Sequence, residues 1–179
     1  MKKLIIGGLV GGLILFLWQF LSWSILNVHA ANFGYTSNEK AVIDCLSANL
    51  KDGEYYIPGM PPGTSAEDHA KIQENAVGKP WARINYRSSF DVNMGMNMTR
   101  GFIVDFLAAL FLCWILLKIP NVSFTDILLS SLGVGLIGYL TGPYINHIWF
   151  ESSSIGDLID AVVSWGITGA FLGWWLRRK

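Results

Sequence analysis

Residues 4–26 read LIIGGLVGGLILFLWQFLSWSIL, without one charged side chain. A helix needs about 20 apolar residues to cross ~30 Å of hydrocarbon, and this run is long enough to do so. Three further runs of the same kind follow: Gly101 to Ile119 (GFIVDFLAALFLCWILLKI), Phe124 to Gly142 (FTDILLSSLGVGLIGYLTG) and Ile155 to Leu176 (IGDLIDAVVSWGITGAFLGWWL). The fold class expected is therefore a mainly α membrane protein. It has four transmembrane helices and a small α+β periplasmic insertion between the first and second. The chain divides into a first helix (1–27), an insertion (28–100) and a three-helix transmembrane region (101–179).

Composition agrees. Of 179 residues, 52% are hydrophobic and 15% charged, whereas soluble domains carry about 25% charge. The 13 basic and 13 acidic side chains cancel, which argues against a nucleic-acid partner, since such proteins carry a basic excess. Disorder is excluded by the hydrophobicity. The charges are not spread evenly. Lys2 and Lys3 precede the first run, Lys118 closes the second, and Arg177, Arg178 and Lys179 follow the fourth. Four crossings put all six on one side, and the positive-inside rule makes that side cytoplasmic, with both chain ends there. Tryptophans fit the same arrangement. Trp18, Trp23 and Trp149 fall at the outer interface, Trp114, Trp174 and Trp175 at the inner one, and Trp165 in mid-span as a packing residue. The first run, preceded by Lys2-Lys3 and followed by Val28-His29-Ala30, also has features of a signal peptide. It is long for one, so an uncleaved anchor is expected.

The insertion has the composition of a small polar domain. Thr36 or Ser37 caps a helix with Val42, Cys45, Leu46 and Leu50 on its inner face, ended by Gly53. Glu54 to Pro58 and Trp81 to Phe90 read as strands, the second with Ala82, Ile84 and Tyr86 on one face. Ser65 caps a short helix from Ala66 to about Asn75. Two strands and two short helices make a thin core, so this domain is expected to lean on the membrane helices, a partner or another copy. Cys45 and Cys113 fall on opposite sides of the hydrocarbon and are expected as unbridged, buried fillers.

Leu21-Ser22-Trp23 with Leu26 and His29, the segment Gly53-Glu54-Tyr55-Tyr56-Ile57-Pro58, and Gly78-Lys79-Pro80 together resemble a family of small, uncharacterised bacterial inner-membrane proteins. Those proteins have one span, a periplasmic insertion and about three further spans. The resemblance implies a bacterial inner membrane and transfers no activity and no site residue.

Three constellations are candidates for function. Glycines recur at a spacing of four, as Gly7 and Gly11, Gly8 and Gly12, Gly138 and Gly142, and Gly169 and Gly173. That spacing lets helix backbones approach closely, either within one bundle or in a homo-oligomer or larger complex. Polar residues inside the runs come next. Asp105 has no helix-capping role, so it needs a partner, and His147 or Arg100 could supply one. Ser154 with Asp157, and Ser123 with Asp126, fit capping boxes, while Asp160 lies near the interface and Gln19, Ser22 and Asn146 are polar at outer ends. Finally Met94, Met96 and Met98 precede the second run on the outer side, together with His29, Met60 and His69. Thioethers select soft Cu(I), whereas the bland alternative is a set of interfacial fillers.

The sequence carries no P-loop, HExxH, CxxC or GxSxG pattern. The expected function is non-enzymatic and without a cofactor: an accessory or scaffolding subunit contacting the lipid bilayer and other membrane subunits, or a homo-oligomer. Copper binding by the methionines, and a small transporter built on Asp105 and His147, are the alternatives.

Overall fold

The computed structural model describes residues 1–178, in two compact units, Met1–Gly34 with the chain from Asn93 onward, and Tyr35–Val92. In chain order the elements are α1 (Lys2–Ser24), α2 (Glu39–Asn49), β1 (Gly53–Ile57), α3 (Ala66–Ala76), β2 (Ala82–Tyr86), α4 (Met94–Leu116), α5 (Phe124–Thr141), α6 (Pro143–Phe150) and α7 (Ile155–Trp175). Four helices are long and apolar enough to cross a membrane: α1, α4, α5 running on into α6, and α7.

Two boundaries differ from expectation for local reasons. The second long helix starts at Met94, seven residues before Gly101, where the Asn93 side chain accepts from the Met96 N–H at 3.0 Å and caps the first turn. The stretch from Pro143 to Ser154, which separates the third and fourth apolar runs, is mostly helix. Pro143 stands in the first turn of α6, where its missing N–H costs nothing, and Glu151 in the left-handed conformation (φ 51°) closes the helix. The two capping-box patterns part ways. Ser123 and Asp126 form the reciprocal box. Ser154 makes no side-chain cap, and its hydroxyl lies 3.2 Å from the Tyr139 hydroxyl instead.

In the helical unit α1 packs against both α4 and α7, and α5 packs against α7. The closest approach is at Gly12, where an added Cβ would sit 2.5 Å from the Phe106 Cα. No side chain fits there, so the α1 and α4 backbones are in direct contact. Gly7 and Gly11 extend the seam, facing Cys113 and Ala109 of α4 and Leu172 and Thr168 of α7. Gly169 and Gly173 seat α7 on Ser131 and Phe124. Gly138 departs from expectation: nothing lies within 4 Å of its added Cβ, and Gly142 meets only the Gly138 carbonyl of its own chain segment. The α5 glycine that permits close approach is Gly135, whose Cβ would lie 2.6 Å from the Ala161 carbonyl oxygen. One turn of register therefore separates the spacing motif from the contact. Leu112, Cys113, Leu116, Ile127, Leu172 and Leu176 form the buried core, with Trp165 packed on it as expected of a packing residue.

The first turn of α1 and the end of α7 lie together. Trp175 Nε1 donates to the Lys3 carbonyl at 3.0 Å, and Lys3 Nζ donates to the Leu176 carbonyl at 3.2 Å. Arg178 stacks 3.6 Å over the Trp174 ring, and Lys118 lies 5.8 Å from the Trp114 ring centroid.

In the second unit β1 and β2 pair antiparallel from Gly53 with Tyr86 to Ile57 with Ala82. Ala82, Ile84 and Tyr86 share the sheltered face, as their alternation requires. The ladder stops at Tyr86 rather than Phe90 because β1 ends at Gly53. Beyond it the Asp52 carboxylate, rather than a backbone carbonyl, accepts from the Ser88 N–H at 2.9 Å. The Ser88 side-chain and backbone hydrogen bonds hold the Asp52 carboxyl below its usual value. Tyr86 is the one buried residue of this unit, and α2 and α3 bury none. Cys45, expected on a buried face, is exposed because α2 has no apolar surface lying over it, whereas Cys113 is fully buried.

The α1–α4 contact sets a clear expectation. Gly12→Val forces a side chain into backbone and lowers bundle stability by about 2 kcal/mol or more, within the range of overpacking. Gly138→Ala leaves it within about 0.5 kcal/mol. Denaturation followed by tryptophan fluorescence in detergent checks both, and equal losses would contradict the assigned seam.

Candidate functional site

The polar groups of the helical unit gather around α1. Its last turn is followed by a tight reversal: Leu26 N–H donates to the Leu21 carbonyl at 2.9 Å and Val28 N–H to the Ser22 carbonyl at 3.1 Å. Asn27 adopts the left-handed conformation (φ 50°) that Asn tolerates better than most residues. The reversal sends His29 back along α1. Its ring stacks on Trp23 with centroids 4.0 Å apart and planes 10° from parallel. Gly156, in the first turn of α7, leaves room for the imidazole; an added Cβ would sit 2.8 Å from His29 Nδ1.

His29 is 3% exposed, and it meets Asp160 of α7. Asp160 Oδ2 lies 2.8 Å from His29 Nε2, and Oδ1 accepts from Trp18 Nε1 at 2.9 Å and Ser22 Oγ at 2.5 Å. Asn32 Nδ2 lies 3.3 Å from His29 Nδ1, so each imidazole nitrogen faces a polar group. Both carboxylate oxygens are thus satisfied, which is what a carboxylate in an apolar helix bundle requires. Ser164, one turn on, donates to the Asp160 carbonyl at 2.6 Å.

This is not a nucleophile–base–acid arrangement. The Ser22 hydroxyl donates to Asp160 rather than to His29, so the imidazole is not placed to take its proton. The geometry holds four chain segments at one carboxylate: the body of α1, the reversal after it, the start of α7 and, through Asn32, the short 3-10 turn at Ala30–Asn32.

Asp105, the second carboxylate, lies on α4 and is 6% exposed. Its partner is Gln19, whose Nε2 donates to Oδ1 at 3.0 Å, and Oδ2 has no hydrogen-bond partner among the described residues. Trp18 and Gln19 are adjacent on α1 and reach in opposite directions, one to α7 and one to α4. The expected pairing with His147 is replaced for a topological reason, since the neighbour of α4 is α1; Arg100 lies on α4 itself, five residues before Asp105 and about 140° around the helix from it. His147 is exposed on α6, and its Nδ1 lies 2.7 Å from the Ser152 carbonyl oxygen.

The methionines stand in the first two turns of α4, all exposed. At about 100° per residue, Met94 and Met98 share a face while Met96 is turned about 200° from Met94. The three thioethers therefore do not converge on one point. Met94 and Met98 instead line a groove with Phe16, Phe20 and Trp23 of α1.

Sequence reading placed Asp105 and Asp160 among the candidates, but it grouped His29 with outer metal ligands and assigned neither Trp18 nor Ser22 to a carboxylate. A signal was present. Trp18 and Ser22 are one turn apart on α1, and Asp160 and Ser164 are one turn apart on α7, so each helix carries a matching polar stripe.

A double-mutant cycle between His29→Ala and Asp160→Ala is expected to give a coupling of about 1–3 kcal/mol, as for residues sharing one buried network. His147→Ala is expected to change stability by less than about 0.5 kcal/mol. Chemical denaturation in a fixed detergent measures both, and zero coupling would show that the pair is not a unit.

Set against known protein families, curated proteins and solved structures, the chain matches none.

Proposed function

We propose that this is a multi-pass protein of the bacterial inner membrane, with both chain ends cytoplasmic and the 35–92 unit periplasmic. In this reading it acts without catalysis, as an accessory or scaffolding subunit of a membrane protein complex. The observation that carries the reading is the character of that unit. It buries only Tyr86 and leaves an open cleft of about 420 Å³ walled by Tyr56, Pro58, Met60, Ile72 and Trp81. The Tyr56 and Trp81 rings lie 5.6 Å apart across it. Aromatic and methionine side chains are the groups enriched at protein interfaces and their energetic centres, and among the described residues no charged one lines the cleft. A folded unit with so little core and such a surface is suited to completing its burial against another protein.

In-cell photo-crosslinking from position 60 is expected to give one discrete adduct with another membrane or periplasmic protein. Trp81→Ala is expected to remove that adduct while bundle stability is unchanged. Absence of any adduct, or one indifferent to Trp81→Ala, would refute the scaffolding reading.

A second reading is favoured by one atom. The buried Oδ2 of Asp105 lacks a partner, and ionisable groups inside spans commonly mark ion or proton paths. On this reading Asp105, with Gln19 rather than His147 beside it, belongs to a small proton-linked transporter. Liposomes containing the protein are then expected to conduct protons, as read by an internal pH dye, and Asp105→Asn to abolish the flux with folding retained. Flux no greater than in protein-free liposomes would remove this reading.

A further inference from the structure

The end of the bundle where α1 begins and α7 finishes carries charge of one sign. Across residues 1–8, 114–127 and 171–178 the basic residues are Lys2, Lys3, Lys118, Arg177 and Arg178, and the only acidic one is Asp126. Asp126 is already engaged: it accepts from the Ser123 N–H at 3.1 Å and from the Ser123 hydroxyl at 2.6 Å. Several of the cations are also engaged. Lys3 bonds the Leu176 and Arg178 carbonyls, Arg178 covers Trp174, and Lys118 approaches Trp114. The Arg177 side chain, like that of Lys2, has no hydrogen bond, ion pair or ring contact among the described residues, and it lines a pocket of about 440 Å³ at the ends of α4 and α7.

The pocket is amphipathic. Leu116, Leu117, Val122 and Leu176 form its apolar wall, and Asn121 and Arg177 its polar part. Asn121 sits in the left-handed conformation (φ 52°) in the turn that follows α4. Trp114 and Trp174 on the flanking helix ends are residues of the kind that mark a membrane–water interface. An apolar wall meeting a guanidinium with no ion pair among the described residues matches a molecule with an acyl chain and an anionic head. Basic pockets between membrane helices recognise acidic lipid headgroups in this way.

We propose that this pocket binds one anionic phospholipid, with Arg177 on the phosphate and the first acyl carbons against Leu117 and Val122. The inference rests on the membrane-spanning reading and adds a specific lipid contact to it.

The test uses the full-length protein in phosphatidylcholine nanodiscs containing a minor fraction of phosphatidylglycerol, with retained lipids counted by native mass spectrometry. Wild type is expected to keep phosphatidylglycerol in preference to phosphatidylcholine. Arg177→Gln is expected to reduce that preference about fivefold, the effect of one interfacial cation. Val122→Trp, which fills the pocket from a half-buried position, is expected to reduce it as well, while Lys51→Gln in the other unit has no effect. Equal retention by wild type and Arg177→Gln, or displacement of the lipid by inorganic phosphate alone, overturns the proposal. If wild type enters nanodiscs but shows no headgroup preference, the lipid site fails and the membrane reading stands. If it does not enter nanodiscs at all, both fail.

Discussion

The arrangement of this bundle depends on how closely α1 can approach α4. Lipid tails are as apolar as leucine, so burial of oily surface gives helices little reason to associate in a bilayer. Association then depends on van der Waals fit and on polar groups with no other partner. Gly12 opposite the Phe106 backbone supplies the fit, and with Gly7 and Gly11 it lets α1 lie against α4 and α7 together. That central position is what allows two consecutive residues, Trp18 and Gln19, to reach carboxylates on two different helices. A bulkier α1 would move both donors away from their acceptors.

The two carboxylates illustrate different solutions to one cost. A charged group inside a span costs ~2.5 kcal/mol or more unless it is solvated by the protein. Asp160 is solvated fully, by an indole, a hydroxyl and an imidazole. Asp105 is solvated on one oxygen only. Asp160 has partners on both oxygens and Asp105 on one among the described residues, and α1 supplies donors to both.

The long helices were legible from sequence because a run of apolar residues is a one-dimensional property. Pairing was not, because it depends on which helices become neighbours. Asp105 and His147 look like partners along the chain, yet α4 lies on α1, and Gln19 is what it meets. Gly138 and Gly142 have the same spacing as Gly169 and Gly173, but only the latter pair lies on a face that another helix occupies. Ser154 and Asp157 repeat the Ser123 and Asp126 pattern, but the Ser154 hydroxyl is taken by Tyr139, a residue from another helix. In each case the local pattern was real and a tertiary neighbour decided the outcome. His29 was obscured differently, since the left-handed Asn27 turns a residue that follows the first span back against the last.

That fold-back has a consequence for biogenesis. His29 and Asp160 are 131 positions apart, and Ser22 and Asp160 are 138 apart. In the order of synthesis the Trp18 indole and Ser22 hydroxyl of α1, and the His29 imidazole after it, are made before the carboxylate that they meet. Until α7 packs against α1 those groups lack the carboxylate that they share. The last helix therefore completes the environment of the first.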